Sequence, residues 1–148
     1  MQCIKCPNRY DGDKTSIFIA GGITGCQDWQ RSVEQFLSDT DVVLFNPRRD
    51  EFSDSNLEQE QVQWEHDYLM SCSAHMFFFP PDSMCPVTMF ELGKVASLQK
   101  PLFVAIHPKF PRCRNVTIQL SIIRPDVKVV SNLVDLTSDI KIWLRSYD

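Results

Sequence analysis

Long apolar runs and an excess of basic charge are both missing from this sequence. No run approaches the ~20 apolar residues that a membrane span requires, and residues 1–6 lack the apolar core of a signal peptide. The net charge of −4 provides no basic field for a nucleic-acid backbone. We therefore expect a cytoplasmic protein with neither a membrane nor a nucleic-acid polymer as its partner.

Glycine is also scarce, and the way it is placed excludes two common cofactor motifs. Of the five glycines, Gly21, Gly22 and Gly25 follow one apolar run. Their spacing is neither the G-x-G-x-x-G of dinucleotide sites nor a P-loop, and Asn46 stands where a dinucleotide site carries an acidic residue. We expect no cofactor. The glycines indicate a tight turn or a backbone that a ligand approaches closely.

Metal ligands are few. The three histidines show no metal-binding spacing. Cys3 and Cys6 form a C-x-x-C, but no second pair of zinc ligands follows. Without a secretion signal, reduced thiols and no metal are expected for the six cysteines. A zinc-bearing interaction protein stays open as an alternative that rests on Cys3 and Cys6 alone.

Short apolar runs alternate with helical patterns about five times. Hydrophobic residues make up 43% of the chain, enough for one packed domain. The alternation predicts an α/β fold of the flavodoxin-like or Rossmann-like class, a doubly wound parallel sheet of about five strands with helices on both faces. Residues 1–15 are predicted to be an N-terminal tail and residues 16–148 a single domain. Predicted strands are 16–20, 41–45, 75–79, 102–106 and 127–130; predicted helices are 28–37, 58–71, 86–99, 116–123 and 133–144.

Two loops in this pattern follow strands and precede helices. One is the glycine loop after the first strand; the other begins at Pro80 and leads to the helix that carries Glu91. Open α/β sheets bind ligands at the carboxyl ends of their strands. We expect the two loops to face one pocket, with Glu91 performing the chemistry.

Glu91 has two interpretations. Thr88 and Glu91 match the S/T-x-x-E capping box, in which the glutamate only satisfies a backbone donor. Alternatively, Pro86 occupies the first helical position, and Glu91 then lies one turn inside an apolar stripe with Val87 and Val95. A carboxylate in that position needs a partner or a chemical role.

Glu65 presents a similar choice. It lies between Val62 and Leu69 on one possible apolar face of its helix. A rotated helix would instead bury Trp64 and Tyr68 and leave Glu65 in solvent. If both glutamates point inward, they could share the roles of acid, base and nucleophile, with burial separating their pKa values.

Five short motifs, taken in order, resemble the nucleoside 2-deoxyribosyltransferase-like family. They span about residues 16–104. The motifs are Phe18-Ile19-Ala20-Gly21-Gly22-Ile23-Thr24-Gly25 with Asp28-Trp29-Gln30, then Asn46-Pro47-Arg48-Arg49, Gln63-Trp64-Glu65, Phe77-Phe78-Phe79-Pro80 and Phe90-Glu91-Leu92-Gly93.

The resemblance implies a homo-oligomer that acts on a small nucleoside or nucleotide. It implies that Glu91 attacks the anomeric carbon of the sugar and the base departs, after which a second base or water captures the glycosyl ester. Glu65 fits the second acidic residue, which positions the base and shuttles protons. The substrate contacts that we expect are Gly21, Gly22, Ile23, Thr24, Asp28, Trp29, Asn46, Arg48 and Asp82.

Elementary chemistry agrees with this assignment. An anionic carboxylate stabilises an oxocarbenium-like transition state and can then bond to it, and the start of a helix is expected to help keep Glu91 ionised. The Asp-x-Gly-Thr stretch that precedes the glutamate in well-studied transferases is absent, and Asp82 takes its place at a different offset. Transferase and hydrolase activity both stay open, as does a non-catalytic nucleotide-binding module on the same fold.

Two further choices concern substrate recognition. Trp29 and Trp64 are either core residues or platforms on which a nucleobase stacks. An inward Arg48 or Arg49 would favour a 5′-phosphate, because guanidinium binds phosphate through paired hydrogen bonds. Two arginines on the surface, which the sequence slightly favours, would instead indicate an unphosphorylated nucleoside.

Overall fold

The computed structural model describes residues 1–50 and 57–146, and the described residues form six parallel strands and five helices. The strands are β1 (Gln2–Lys5), β2 (Ser16–Gly21), β3 (Val43–Asn46), β4 (Ala74–Phe79), β5 (Leu102–Ile106) and β6 (Val129–Val130). The helices are α1 (Trp29–Phe36), α2 (Glu58–Ser71), α3 (Pro86–Ala96), α4 (Cys113–Ile123) and α5 (Leu133–Arg145).

The strands lie in the order β1-β3-β2-β4-β5-β6, and every neighbouring pair is parallel. Without β1 this is the 2-1-3-4-5 order of flavodoxin-like sheets. The predicted α/β class is therefore confirmed. Each of the five predicted strands exists, although the last one shrinks to two residues.

The two faces of the sheet carry separate apolar cores. Because side chains alternate along a strand, Phe18 and Phe77 lie on one face and Ile19 and Met76 on the other. Helices α2, α3 and α4 contribute to the first core, whereas α1 and α5 contribute to the second. Helices on both faces are what a continuous run of buried strand residues requires.

The N-terminal segment was predicted to be a tail, and that prediction is wrong at Gln2–Lys5. These residues form the edge strand β1, which pairs with β3 in the register Cys3 with Leu44 and Ile4 with Phe45. Ile4 and Cys6 are buried in the core beneath α2. Only Ile4 of the four strand residues is buried, so the segment lacks the apolar run that marks a central strand.

The connections place the switch point of the sheet between β2 and β4. The chain leaves β2 through α1 toward β3 on one side, then returns through α2 to β4 on the other. The loops that follow β2 and β4 therefore diverge and leave a crevice at the carboxyl ends of the strands. Among the described residues, no helix has the length and apolar character to cross a membrane.

Candidate active site

A cavity of about 410 Å³ lies in this crevice. Its walls come from the glycine loop after β2, the residue after β3, the first two turns of α2, and the loop after β4 with the start of α3. The predicted meeting of the two loops is therefore present in the structure. The lining residues are Gly21, Gly22, Ile23, Thr24, Pro47, Glu58, Gln61, Val62, Glu65, Ser83, Cys85, Pro86, Val87, Thr88 and Glu91.

Trp29 forms the floor beneath the glycine loop. Its Nε1 donates a hydrogen bond of 2.8 Å to the carbonyl of Gly22, and its ring packs against Phe78. A Cβ on Gly21 would lie 2.3 Å from the Trp29 ring and 2.5 Å from the Phe78 carbonyl oxygen. Trp29 is thus a core residue, and Gly21 is glycine because the loop lies directly on the indole.

Arg48 holds the same loop from its outer side. Its Nη2 donates to the carbonyls of Ile23, Cys26 and Gln27 at 3.1–3.3 Å, and its Nε donates to Gln30. One guanidinium thus ties together three carbonyls that are close in sequence. Arg48 fixes the shape of the loop instead of lining the cavity.

Helix α3 begins at Pro86, so the capping-box interpretation of Glu91 is wrong. The N-cap is Cys85, in the left-handed region with φ of 46°, and no side chain caps this helix end. Glu91 lies in the second turn, and within residues 1–50 and 57–146 no group hydrogen-bonds its carboxylate. It lines the cavity together with Val87, which is exposed. The carboxylate therefore has no structural role of the kind that a cap provides.

Helix α2 takes the rotated orientation, yet Glu65 still faces the cavity. Trp64 and Tyr68 are buried in the core, whereas Val62 is exposed. The expectation that this rotation would leave Glu65 in solvent is wrong, because the side of α2 that bears Glu65 borders α3 and the crevice. Glu65 Oε1 accepts a hydrogen bond of 2.7 Å from Gln61 Nε2.

The two carboxylates interact electrostatically. Burial, followed by the nearby charge of Glu65, raises the pKa of Glu91 to about 8, against the smaller effect of Lys94. Burial also raises the pKa of Glu65, although the Gln61 hydrogen bond and the charge of Arg49 act in the opposite direction. The raised pKa of Glu91 runs against the expectation that a helix start keeps this carboxylate ionised, and it favours a proton on Glu91 at neutral pH.

The cavity brings together six of the predicted site residues. Gly21, Gly22, Ile23 and Thr24 line it from one side, and Glu65 and Glu91 from the other. The other five, Asp28, Trp29, Asn46, Arg48 and Asp82, do not line it. Their assignment as substrate contacts stays a prediction.

Four of those five make contacts behind the loop. Asp28 caps α1 and pairs with Arg48 at 3.6 Å. Asn46 is buried and donates to Glu34, whereas Asp82 is exposed in the turn after β4. The structure therefore gives Trp29 and Arg48 a direct role in shaping the loop, whereas Asp28 and Asn46 contact Arg48, through its side chain and its backbone N–H respectively.

Neither arginine lies free on the surface, so the expectation that both are surface residues is wrong. Arg49 is buried, and its guanidinium donates to Gln61 and Glu60 at 2.6 Å. The guanidinium of Arg48 is engaged by the glycine loop. An inward arginine therefore does not indicate a phosphate site here.

Sequence reasoning missed Gln61 as a site residue. Its position one turn before Glu65 on the same helix face was the available signal, because residues four apart on a helix are neighbours. Ser83 and Cys85 were also missed. They follow a strand in a proline-rich loop, and nothing in the sequence distinguishes them from other loop residues.

Two carboxylates thus line a cavity at the switch point of a doubly wound parallel sheet, the place where α/β proteins of this class bind their ligands. Residues 14–110 match the model of the family described as nucleoside 2-deoxyribosyltransferase like, and the chain belongs to this family. No curated protein matches the chain significantly. The predicted resemblance is thus confirmed, and the family points to a nucleoside-processing role. The cytoplasmic location and the homo-oligomer stay predictions.

Proposed function

We propose that this protein cleaves the N-glycosidic bond of a (2-deoxy)nucleoside or nucleotide. Glu91 is the nucleophile, Glu65 moves the proton, and the sugar passes to a second base or to water. One observation carries the proposal. Glu91 lines a cavity of about 410 Å³ beside Glu65, without a structural partner among the described residues. A volume in this range suits a ligand as large as a nucleoside.

The raised pKa of Glu91 fits a proton that moves during the reaction. Glu91 first passes its proton to Glu65, and the resulting carboxylate attacks the anomeric carbon while the bond to the base breaks. Glu65 then gives the proton to the nitrogen of the leaving base. The products of this half-reaction are a Glu91 glycosyl ester, ionised Glu65 and a neutral base, so charge and protons balance.

The second half-reaction reverses these roles. Glu65, now ionised, takes a proton from the incoming base or water, which attacks the anomeric carbon and releases Glu91. Burial supports this exchange because the two carboxylates cannot both ionise easily in a low-dielectric site. The same pair therefore serves transfer and hydrolysis alike.

The test is turnover of deoxynucleosides and their 5′-monophosphates, each with and without a second free base, followed by mass spectrometry. We expect free base alone from a hydrolase and an exchanged nucleoside from a transferase. Glu91→Gln and Glu91→Ala should lower kcat at least about a thousandfold, because the covalent route is lost.

The matched control is Asp139→Asn on α5, which lies on the other face of the sheet from α2 and α3. It should turn over like the wild type. Intact-protein mass spectrometry after rapid quenching should find the glycosyl adduct on the wild type and not on Glu91→Gln. Equal turnover by the wild type and both Glu91 variants would contradict the proposal.

A non-catalytic nucleotide-binding module is the second candidate. The observation that favours it is the position of Asp82, which is exposed and does not line the cavity in which the sugar would lie. This candidate predicts saturable nucleotide binding, measured by calorimetry, with no product after many hours.

A further inference from the structure

Gln61 uses both donors of its side-chain amide within the protein. Its Nε2 donates to Glu65 Oε1 at 2.7 Å and to the carbonyl of Pro47 at 2.8 Å. Its Oε1 accepts a hydrogen bond of 2.6 Å from Arg49 Nε. An amide nitrogen has two hydrogens, so neither is left for a ligand, although Gln61 lines the cavity.

Arg49 determines which way this amide points. If the amide were reversed, its oxygen would face the Glu65 carboxylate and the Pro47 carbonyl, and its NH₂ would face a guanidinium. Both contacts would be repulsive, whereas the observed orientation has three favourable hydrogen bonds. The amide of Gln61 is therefore fixed with its donors toward Glu65.

Arg49 is itself held in place. It follows β3, its side chain is only 6% exposed, and Nη2 donates to Glu60 Oε1 at 2.6 Å. Arg49 and α2 thus form a continuous chain of hydrogen bonds that ends on one oxygen of Glu65. Such a chain orients the last group by charge and geometry together.

We propose that Arg49 and Gln61 are positioning residues that hold Glu65 by one oxygen, so that its other oxygen stays available to Glu91 and to the leaving base. This inference rests on the proposed function and deepens it. Arg49 acts through Gln61 and touches no substrate. Neither donor of Gln61 is free to read the base, because both are occupied.

Arg49, which follows β3, lowers the pKa of Glu65, and Lys94 of α3 lowers the pKa of Glu91. Glu58 of α2 also lines the cavity, and Glu60 of α2 pairs with Arg49. Cys6 follows β1, and burial raises the pKa of its thiol to about 11, so it is neutral at physiological pH. Arg49 and Gln61 are the groups that favour the ionised form of Glu65.

The test compares Gln61→Met, a residue of similar length, with Gln63→Met. Gln63 also lies on α2, and it donates to Asp67 at 2.7 Å with the same four-residue spacing, but it is exposed and outside the cavity. We expect Gln61→Met to lower kcat tenfold or more with little change in KM. Gln63→Met should match the wild type.

The pH profile separates positioning from general damage. Catalysis needs one negative charge on the pair, so the acidic limb of kcat/KM follows the first ionisation of the two glutamates. Losing the Gln61 donor should move that limb to higher pH by about half a unit to one unit. A merely structural role would lower the rate and leave the limb in place. Arg49→Lys should retain more activity than Arg49→Met.

A readout without turnover keeps this inference separate from the proposed function. Carbon-13 NMR of the glutamate carboxyls, with Glu65 assigned through Glu65→Gln, should show Glu65 titrating at higher pH in Gln61→Met. If Gln61→Met does not fold, Gln61→Asn is used in its place, because the shorter asparagine side chain is not long enough to reach Glu65.

Three results would overturn the inference. A Gln61→Met enzyme with an unmoved acidic limb does so whether its kcat is that of the wild type or is lowered, and in both cases the proposed function stands. The third is an unchanged Glu65 titration in a protein whose wild type shows no turnover, in which case both proposals fail. Absence of turnover with a shifted titration removes only the proposed function.

Discussion

The two walls of the cavity are built in opposite ways. On the glycine-loop side, Trp29 and Arg48 donate hydrogen bonds to four backbone carbonyls, and the loop fits closely on an aromatic floor. On the α2 and α3 side, two carboxylates with raised pKa values face each other. One wall is satisfied and rigid; the other carries unfavourable electrostatics.

This difference indicates that the α2 and α3 side of the cavity lowers the stability of the fold. A buried carboxylate without a partner costs free energy, and selection for folding alone would replace Glu91 by an apolar residue. The described residues of the glycine-loop wall include no carboxylate that lines the cavity. Unfavourable electrostatics confined to one wall are typical of a chemical site, where perturbed pKa values concentrate.

Breaking the rigid wall should have the largest effect on stability. In Gly21→Ala the new Cβ meets the Phe78 carbonyl oxygen at 2.5 Å, and that atom belongs to the backbone of the neighbouring strand. Because β4 cannot move away without disturbing the sheet, we expect a loss of about 3 kcal/mol in the free energy of unfolding. Urea denaturation measures it, and a loss below about 0.5 kcal/mol would show that the wall can yield.

Replacing Glu91 by glutamine should raise the free energy of unfolding, and only at pH values above about 4.5. The folded-state pKa of Glu91 is about 8 against an ordinary value of 4.5. Between these two values the folded protein holds the extra proton, so wild-type stability falls as pH rises from about 4.5 to about 8. Glu91→Gln cannot ionise at this position, so its stability does not fall in this way as the pH rises.

The two proteins should therefore be equally stable near pH 4.5, and Glu91→Gln should be more stable by about 2 kcal/mol above pH 8. The full shift in the pKa of Glu91 would correspond to a larger free energy than about 2 kcal/mol. We expect less because the carboxylate borders an open cavity, and solvent reduces the cost of its charge. Thermal unfolding across this pH range is the measurement. A constant difference at every pH would mean that the effect comes from packing and not from ionisation.

Gly93→Ala, in helix α3 on the acidic side of the cavity, is expected to have the smallest effect on the free energy of unfolding. Gly93 lies in α3, two residues after Glu91, and an added Cβ has no atom within 4 Å. Alanine stabilises an exposed helix interior relative to glycine by about 0.5–1 kcal/mol. We expect a gain of that size by urea denaturation with unchanged activity. A loss of stability would contradict this expectation, because it would mean that the added Cβ contacts neighbouring atoms.

The sheet was predictable because its strands are continuous apolar runs bounded by prolines and glycines. Strand β1 was not, because only Ile4 of its four residues is buried, and an edge strand with polar side chains resembles a loop. Recognising β1 requires its partner β3, whose paired residues are 41 positions further along the chain. Local patterns do not contain that information.

The sequence could identify Glu65 and Glu91 as candidate residues, but it could not predict how deeply their side chains are buried. Glu65 could be identified from spacing and family resemblance, but its half-buried position depends on how α2 and α3 meet across the crevice. The same holds for Arg49, which lies in a charged stretch and yet is buried against α2. Burial of a charged side chain is decided by tertiary contacts that sequence periodicity does not encode.

The occupied carbonyls of the glycine loop affect how a ligand is received. Gly22, Ile23, Cys26 and Gln27 already accept hydrogen bonds from Trp29 or Arg48. A molecule entering the crevice thus meets a surface whose conformation is set in advance, and little entropy is lost in ordering it. Affinity gained this way is independent of the acidic side chains, so recognition and reactivity can be altered separately by mutation.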